Sequence, residues 1–534
     1  MVMILPEEYK EHMKEILGDG YESFISVYDD DGERAYGLRR NLLKDGISCC
    51  AKSDDLDKED RNTESTDRYD DEFIRRSGFS LEKISWADEG YYYDPKERPG
   101  KNALHEAGAY YIQEPSAMCA VPLLDIRPGE VICDMCAAPG GKSTQIAGRM
   151  GRRGLLVSNE IIKNRAEVLS SNIERMGVGN CVVTNEDPKD MASLFPCFFD
   201  KILVDAPCSG EGMFRKEENA INEWSMDNVH MCAQRQRVIL DCAAQMVRPG
   251  GMIVYSTCTF EPEEDEQTAF YFIREHSDFK IMPADPREGE DRADIDGAVR
   301  IWPHHAHGEG HFAVRFVKDG VLNERKDLFS AGVNDTFTDR TGNRSKGKRN
   351  DDGAGTSAKD NAHLILDDVC TKEAENEIIS CHGFTDFGGS IYAVPKGMTS
   401  MSGLSVKRPG LQIVMSDDKG KKIRLMPAHA LAMYLRPDEA QRSYEMDDAE
   451  SVRFLGGESL PADMKRFDIN DGSGIRSFGE IYGDGSEIDG SEIDGWILMT
   501  YRGYSAGWGK KTGSIIKNHY PKGLRRDVSL NDQN

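Results

Sequence analysis

The middle of this sequence predicts an α/β fold, a doubly wound parallel sheet, and three observations carry that reading. Short apolar runs at 131–135, 154–158, 181–184, 201–204 and 252–255 alternate with stretches of helical apolar spacing at about 143–150, 162–176 and 225–247. Strands alternating with helices imply parallel sheets with crossover helices. The unusual residues Asp134, Glu160, Asp205 and Cys258 fall at the carboxyl ends of these runs, where open α/β sheets bind ligands. A Gly-rich turn, CAAPGGK, separates the first run from its helix, and a turn of that kind leaves free N–H groups at the helix start.

The flanking elements follow in order. The start, MVMILPEEYKEHMKEILG, carries acids where a signal peptide needs a basic flank and a long apolar stretch. A cytoplasmic protein is expected. Residues 1–100 read as an N-terminal α/β domain. Within it, 52–72 hold ten acids against four bases and one aliphatic residue, which reads as a solvated loop or insertion. Residues 101–318 form the doubly wound domain. Residues 319–360, poor in apolar residues and containing TGNRSKGKRNDDGAGTSAKDN, read as a flexible linker. A first C-terminal domain is expected at 361–460 and a second at 461–534. The second contains GSEID twice in tandem, too short for a solenoid repeat.

Composition limits the possibilities. At roughly 100–200 residues per domain, 534 residues predict three or four domains. No run of 18 apolar residues is present, so no membrane span is expected. Thirteen cysteines without a regular framework should be free thiols. A net charge of −26 argues against a chain coated in nucleic acid. Yet Tyr501 to Arg526 carries seven Lys and Arg, no acid, and four interleaved aromatics. That segment is either a polyanion contact or a charged edge strand with packed aromatics.

The motifs leave alternatives. Gly141-Lys142-Ser143 ends a P-loop pattern, but its first glycine would be position 136, which is Cys136. A dinucleotide G-x-G-x-x-G also fails. What remains is a nucleoside cofactor against the turn, with Glu160 accepting from its ribose, or a tight turn with no ligand. Cys133 and Cys136 form a C-x-x-C without a second pair for zinc, and Cys133 reads as core. Asp205-Ala-Pro-Cys208 and Tyr255-Ser-Thr-Cys258 place two thiols at neighbouring strand ends. A thiol there is a nucleophile if activated, and otherwise a buried structural cysteine. His304, His305, His307 and His311 look like a metal cluster, but the glycines among them argue for an irregular loop. No metal is expected.

At these residues the chain resembles the NOL1/NOP2/Sun family of RNA cytosine-C5 methyltransferases. The matching pieces are LRRNLLK, YYIQEPSAM, DMCAAPGGKST, NEIIKNRAEVLSSNIERMGV, TNEDP, VDAPCSGEGMFRK, GGMIVYSTCT with PEEDEQ, and RIWPHHAHGEGHF. PAHALAMYL, FLGGESL and GWGKKTGSIIKNHYPKGLR look like its bacterial RsmF branch. The resemblance implies a Rossmann-like methyltransferase domain, an N-terminal RNA-binding domain and C-terminal α+β, PUA-like RNA-binding modules. It implies S-adenosylmethionine as cofactor, held by Cys136, Ala137, Ala138, Pro139, Gly140, Gly141 and Lys142, with Glu160, Arg165, Asp187 and Asp205. Cys258 would be the nucleophile, Cys208 would assist product release, and Asp205 would contact the base. RNA contacts would fall on Lys510, Lys511, Lys517, Lys522 and Arg525. The implied partner is rRNA or the small ribosomal subunit, met by a monomer. Asp265 and Ser143 depart from the family pattern, and the 52–72 insertion is unfamiliar.

The chemistry explains the pattern. Carbon 5 of cytosine is a weak nucleophile, and a thiolate added at carbon 6 makes it an enamine. Assistance at N3 falls to Asp205, which for that role would carry a proton and have a raised pKa. The rival readings are a tRNA methyltransferase, a DNA-type enzyme using Cys208 as nucleophile, a non-catalytic ribosome-assembly protein, and a redox protein using Cys133 and Cys136.

Overall fold

The computed structural model describes residues 3–29, 34–44, 63–323, 325, 357–398, 400–417, 424–470, 475–477 and 493–526. Its centre is the expected parallel sheet. Strands β1 (Val131–Asp134), β2 (Leu155–Asn159), β3 (Cys181–Thr184), β4 (Phe199–Asp205) and β5 (Val247–Thr257) lie in the order 3-2-1-4-5, all parallel. Strand β6 (His311–Lys318) pairs antiparallel with β5. The crossovers include α1 (Gly141–Met150), α2 (Lys163–Arg175) and α3 (Met226–Met246). β1 to β3 are buried along their whole length. Helices cover both faces, which is why these strands read as unbroken apolar runs rather than alternating ones. One face packs Val131, Cys133, Val157, Ile202 and Tyr255, and the other Ile132, Leu156, Val183 and Val254.

The N-terminal unit is a four-stranded antiparallel sheet, Leu81–Lys83, Gly90–Tyr93, Gly37–Arg40 and Tyr110–Ile112 in that order. The expected boundary at 100 therefore falls inside the unit, because Tyr110–Ile112 pairs with Gly37–Arg40. Part of the acidic stretch 52–72 is also not loop: Thr63–Ser77 is helical. Phe73 is buried there, and Asp70 takes a hydrogen bond from Tyr91 and pairs with Arg40 and Lys83. Residues 45–62 lie outside the described residues. Arg39, 1% exposed, donates to Gly141 O at 2.9 Å and Thr144 Oγ1 at 2.7 Å. It ties the N-terminal sheet to the first turn of α1.

The C-terminal half does not divide at 460. Arg442–Met446 lies inside a seven-stranded sheet with Gly495–Tyr501, Tyr504–Thr512 and Ile515–Asn518. A single apolar cluster joins Leu366, Ile413 and Leu431 to Trp496, Leu498 and Trp508. A further strand, β7 (Val406–Arg408), leaves this half and pairs antiparallel with β3, at the edge of the central sheet. Of the proposed linker, 326–356 fall outside the described residues, and a helix begins at Ala358 with Ser357 as its cap. No helix among the described residues is long and apolar enough to cross a membrane.

Candidate active site

A cleft of about 990 Å³ opens at the carboxyl ends of β1, β2, β4 and β5. Its walls include Met135, Cys136 and Ala138 from the Gly-rich turn, Asn159 to Ile162 after β2, Asp187, Asp205 to Gly210 after β4, and Cys258 after β5. The turn is built tightly. Gly140 has φ +114° at the start of α1, a value that L side chains adopt rarely. Arg165 donates to Ala138 O and Asn172 to Pro139 O, both at 2.9 Å, so α2 holds the turn's carbonyls. Ser143 Oγ donates to Asp134 at 2.6 Å. Burial pushes the Asp134 carboxyl up to about 7.

The far end of the cleft is a pocket for a flat, polar-edged group. Glu160 is 3% exposed and its carboxylate accepts from Ile162 N at 2.9 Å, with Arg165 at 3.4 Å. Beside it Ile161 and Ile162 are 55% and 52% exposed. Asp187 caps the next helix, accepting from Lys189 N. Carboxylates for ribose hydroxyls beside bare apolar side chains for a heteroaromatic ring match the donor set that S-adenosylmethionine requires.

At the near end the two thiols meet. Cys208 Sγ and Cys258 Sγ are 3.3 Å apart. The contact to Cys258, followed by burial, pushes the Cys208 thiol well up. Their loops are bolted together. Gly212 N donates to Cys258 O at 2.8 Å, and a Cβ at Gly212 would lie 2.9 Å from that oxygen, so only glycine permits this approach. Ser209 Oγ meets Thr259 Oγ1 at 2.7 Å, Glu264 accepts from Ser209 N at 3.1 Å, and Glu211 accepts from Phe260 N at 2.9 Å.

Asp205 corrects an expectation. Burial alone would raise its pKa, but the Lys142 ammonium at 2.8 Å and the His311 imidazole at 3.6 Å outweigh that and hold it well below the usual carboxylate range. Ser256 Oγ also donates to it at 2.9 Å. Asp205 is ionised here and accepts hydrogen bonds; it carries no proton to give.

Other expected residues separate. Cys133 belongs to the apolar core, where burial pushes its thiol well up. The four histidines go to different partners: His304 lies tilted against His305, His305 pairs with Asp291, His307 lies against Tyr92, and His311 faces Asp205. Asp265 is fully buried, accepting from Thr257 at 2.5 Å and pairing with Arg300 at 2.9 Å. Every cysteine among the described residues is a free thiol. In the basic segment Lys517, Lys522 and Arg525 are exposed, and Lys510 lies over Trp496 at 5.0 Å. Lys511 does not fit an RNA-facing role: it is 1% exposed and bridges Asp494 at 2.8 Å. Tyr501, Tyr504, Trp508 and Tyr520 are all buried, so they pack rather than present stacking faces. Sequence reasoning missed the Lys142 and His311 contacts to Asp205 and the clamping by Glu211 and Glu264. The last two sit in quoted motifs, VDAPCSGEG and PEEDEQ, and only their acidity signalled them.

Comparisons with known proteins point one way. A family model described as 16S rRNA methyltransferase RsmB/F matches residues 121–317. That for the N-terminal domain of 16S rRNA methyltransferase RsmF matches 5–115, and that for the methyltransferase RsmF PUA domain matches 481–526. Ribosomal RNA small subunit methyltransferase F of Shewanella sp. strain W3-18-1 is 28% identical over 474 residues, 86% of this chain and 87% of that one. Its counterpart from Shewanella baltica strain OS155 is 27% identical over the same shares. The crystal structure of PH0851 matches with a TM-score of 0.50 at 28% identity, over 59% of this chain and 66% of that one. With three models in chain order and relatives matched over most of both lengths, the chain belongs to the RsmF-like branch of the NOL1/NOP2/Sun methyltransferase family.

Proposed function

We propose that this protein methylates carbon 5 of a cytosine in small-subunit 16S rRNA through a covalent bond between Cys258 and carbon 6 of the base. The observation that carries the reading is the pair of thiols 3.3 Å apart in the same cleft as Glu160 and Asp187. S-adenosylmethionine supplies the methyl group. Every other task falls to the chain. Cys258 adds to carbon 6 and places electron density on carbon 5. Lys142 pairs with Asp205 and lies within electrostatic reach of Cys258. Ionised Asp205 accepts from the exocyclic amino group of cytosine, a donor that uracil lacks, and Lys142 is the adjacent proton donor. The carbon-5 proton then passes to water as the bond from carbon 6 to sulfur breaks and Cys258 leaves as the thiolate, a step that Cys208, against Cys258, assists. The base must leave its stack to enter this cleft. Glu160, Asp187 and the turn from Cys136 to Lys142 hold the cofactor, and Lys517, Lys522 and Arg525 are the exposed cations offered to RNA phosphates.

The test is transfer from labelled S-adenosylmethionine into small subunits lacking the modification, with nucleoside analysis of the product. Wild type should yield 5-methylcytidine, Cys258→Ala none, and Cys208→Ala a trapped protein–RNA adduct. Activity that survives Cys258→Ala but not Cys208→Ala transfers the nucleophile to Cys208 and refutes the assignment.

A further inference from the structure

One of the places where the C-terminal half reaches into the central domain lies behind the loops of the cofactor pocket. Val394, Met398, Met401 and Leu404 are buried in the same apolar cluster as β1, β2 and β4. The chain then runs into β7, where Val406 pairs with Thr184 and Arg408 with Val183. Arg408 closes the strap on α2, donating to Ser170 Oγ at 3.1 Å and pairing with Glu174.

Ser405 sits where the strap meets the loop after β3. Its carbonyl accepts from Asn185 N at 2.9 Å, and its N–H donates to the Glu186 carboxylate. Both partners hydrogen-bond to residues that line the cleft. Asn185 Nδ2 donates to Glu160 O at 2.7 Å and Ile161 O at 2.8 Å. Glu186, 3% exposed, donates from its N to Asn159 Oδ1 at 2.9 Å and accepts from Asn159 Nδ2 at 3.0 Å. Asn159, Glu160 and Ile161 line the cleft, and Asp187 is the next residue in the chain.

We propose that Ser405 and Glu186 are positioning residues for cofactor binding: the strap from the C-terminal half fixes the two loops that carry Glu160 and Asp187. Without it, β3 is a free sheet edge and its loop is held from one side only. The C-terminal half thus builds part of the cofactor pocket in addition to whatever RNA it contacts. A hydrogen bond from a backbone N–H to a buried carboxylate is of the charge-assisted kind. Losing it frees the loop from a preorganised geometry, and preorganisation enters directly into affinity. The inference rests on the assignment of Glu160 and Asp187 to the cofactor.

The experiment is calorimetric titration of the full-length protein with S-adenosylhomocysteine, RNA absent, beside thermal melting of each variant. Ser405→Pro removes the N–H donor, and Glu186→Ala removes its acceptor. Glu186→Gln keeps an acceptor oxygen and serves if the proline variant does not fold. The expected result is a dissociation constant at least about tenfold weaker for Ser405→Pro and Glu186→Ala, with Glu186→Gln restored to within about threefold of wild type. Lower melting temperatures with an unchanged dissociation constant in the folded variants overturn the proposal, since a merely structural strap behaves that way. Wild type that binds no S-adenosylhomocysteine overturns the cofactor assignment itself, and this proposal falls with it.

Discussion

Replacing Lys142 by Met tests the electrostatics of the site. The substitution keeps most of the side-chain volume and removes the ammonium 2.8 Å from Asp205. Breaking a fully buried pair by removing one partner costs about 3–5 kcal/mol. Here the Asp205 side chain is 29% exposed and keeps the Ser256 hydroxyl, so the cost should be nearer about 2 kcal/mol at pH 8. The pH dependence gives a sharper reading than the size. In wild type the Asp205 pKa is depressed, so its stabilisation is fully present above the ordinary carboxylate range and is lost only as pH falls through a much lower value. Without Lys142, burial dominates and raises that pKa. The variant then loses stability as pH rises through the raised value. The gap between the two proteins should be widest at pH 8 and shrink toward pH 5.5. Urea unfolding at four pH values, read by fluorescence, measures it. A gap that is absent, or that widens on acidification, refutes the account of Asp205.

The other expected outcomes follow from single contacts. Burial pushes the Glu264 carboxyl up to about 7, so its contribution favours the folded state at low pH and is lost as pH rises through that value; Glu264→Gln should flatten the fall in stability between pH 5.5 and 8 in urea titrations. Arg152 is 6% exposed, pairs with Glu439 at 2.7 Å and lies over the Tyr434 ring at 4.1 Å. Its replacement by Ala should cost about 3 kcal/mol, visible as a lower urea midpoint, with the C-terminal half loosening first in hydrogen exchange. Combined Lys517→Ala, Lys522→Ala and Arg525→Ala should weaken RNA binding and reduce the log–log salt slope by about 2, at roughly 0.7 per lost single-strand phosphate contact. Lys511→Ala should leave that slope alone and lower the melting temperature.

What could be read in advance was what repeats locally. β1 to β3 are continuous apolar runs because both faces are covered, and the four unusual residues stand at strand ends because a parallel sheet presents its ligand there. The strand pattern put the two thiols at neighbouring strand ends, and the resemblance gave each a role. Long-range pairing was not legible. β7 is three residues long, lies far along the chain from β3, and carries no apolar pattern of its own. The 460 boundary failed for the same reason: Arg442–Met446 pairs in parallel with Gly495–Tyr501 across the tandem GSEID region. Lys511 failed because a count of lysines says nothing of which one an inward Asp494 will bury. The proton on Asp205 was expected from what the chemistry wants, whereas Lys142 sits in another motif and decides the charge.

The acidity of the chain and its proposed RNA substrate are reconciled at the cysteine loops. Glu211, Glu261 and Glu264 lie beside the loops that an incoming phosphate backbone must approach. As three carboxylates they would repel it. Burial, with the close approach of Glu261, pushes Glu211 well up, and burial pushes Glu261 and Glu264 up to about 7. A protonated acid still donates and accepts, so Glu211 and Glu264 clamp the two loops at much less cost in field. The formal charge of −26 counts each as fully negative and so overstates the repulsion where it matters most. The same reasoning sets a limit on the device. As pH rises past 7, Glu261 and Glu264 ionise, their repulsion works against the clamp, and the 3.3 Å approach of Cys208 to Cys258 loses its support. Methyl transfer should then decline on the alkaline side. A rate that climbs monotonically to pH 9 would show that the acids behind the loops play no part in holding them.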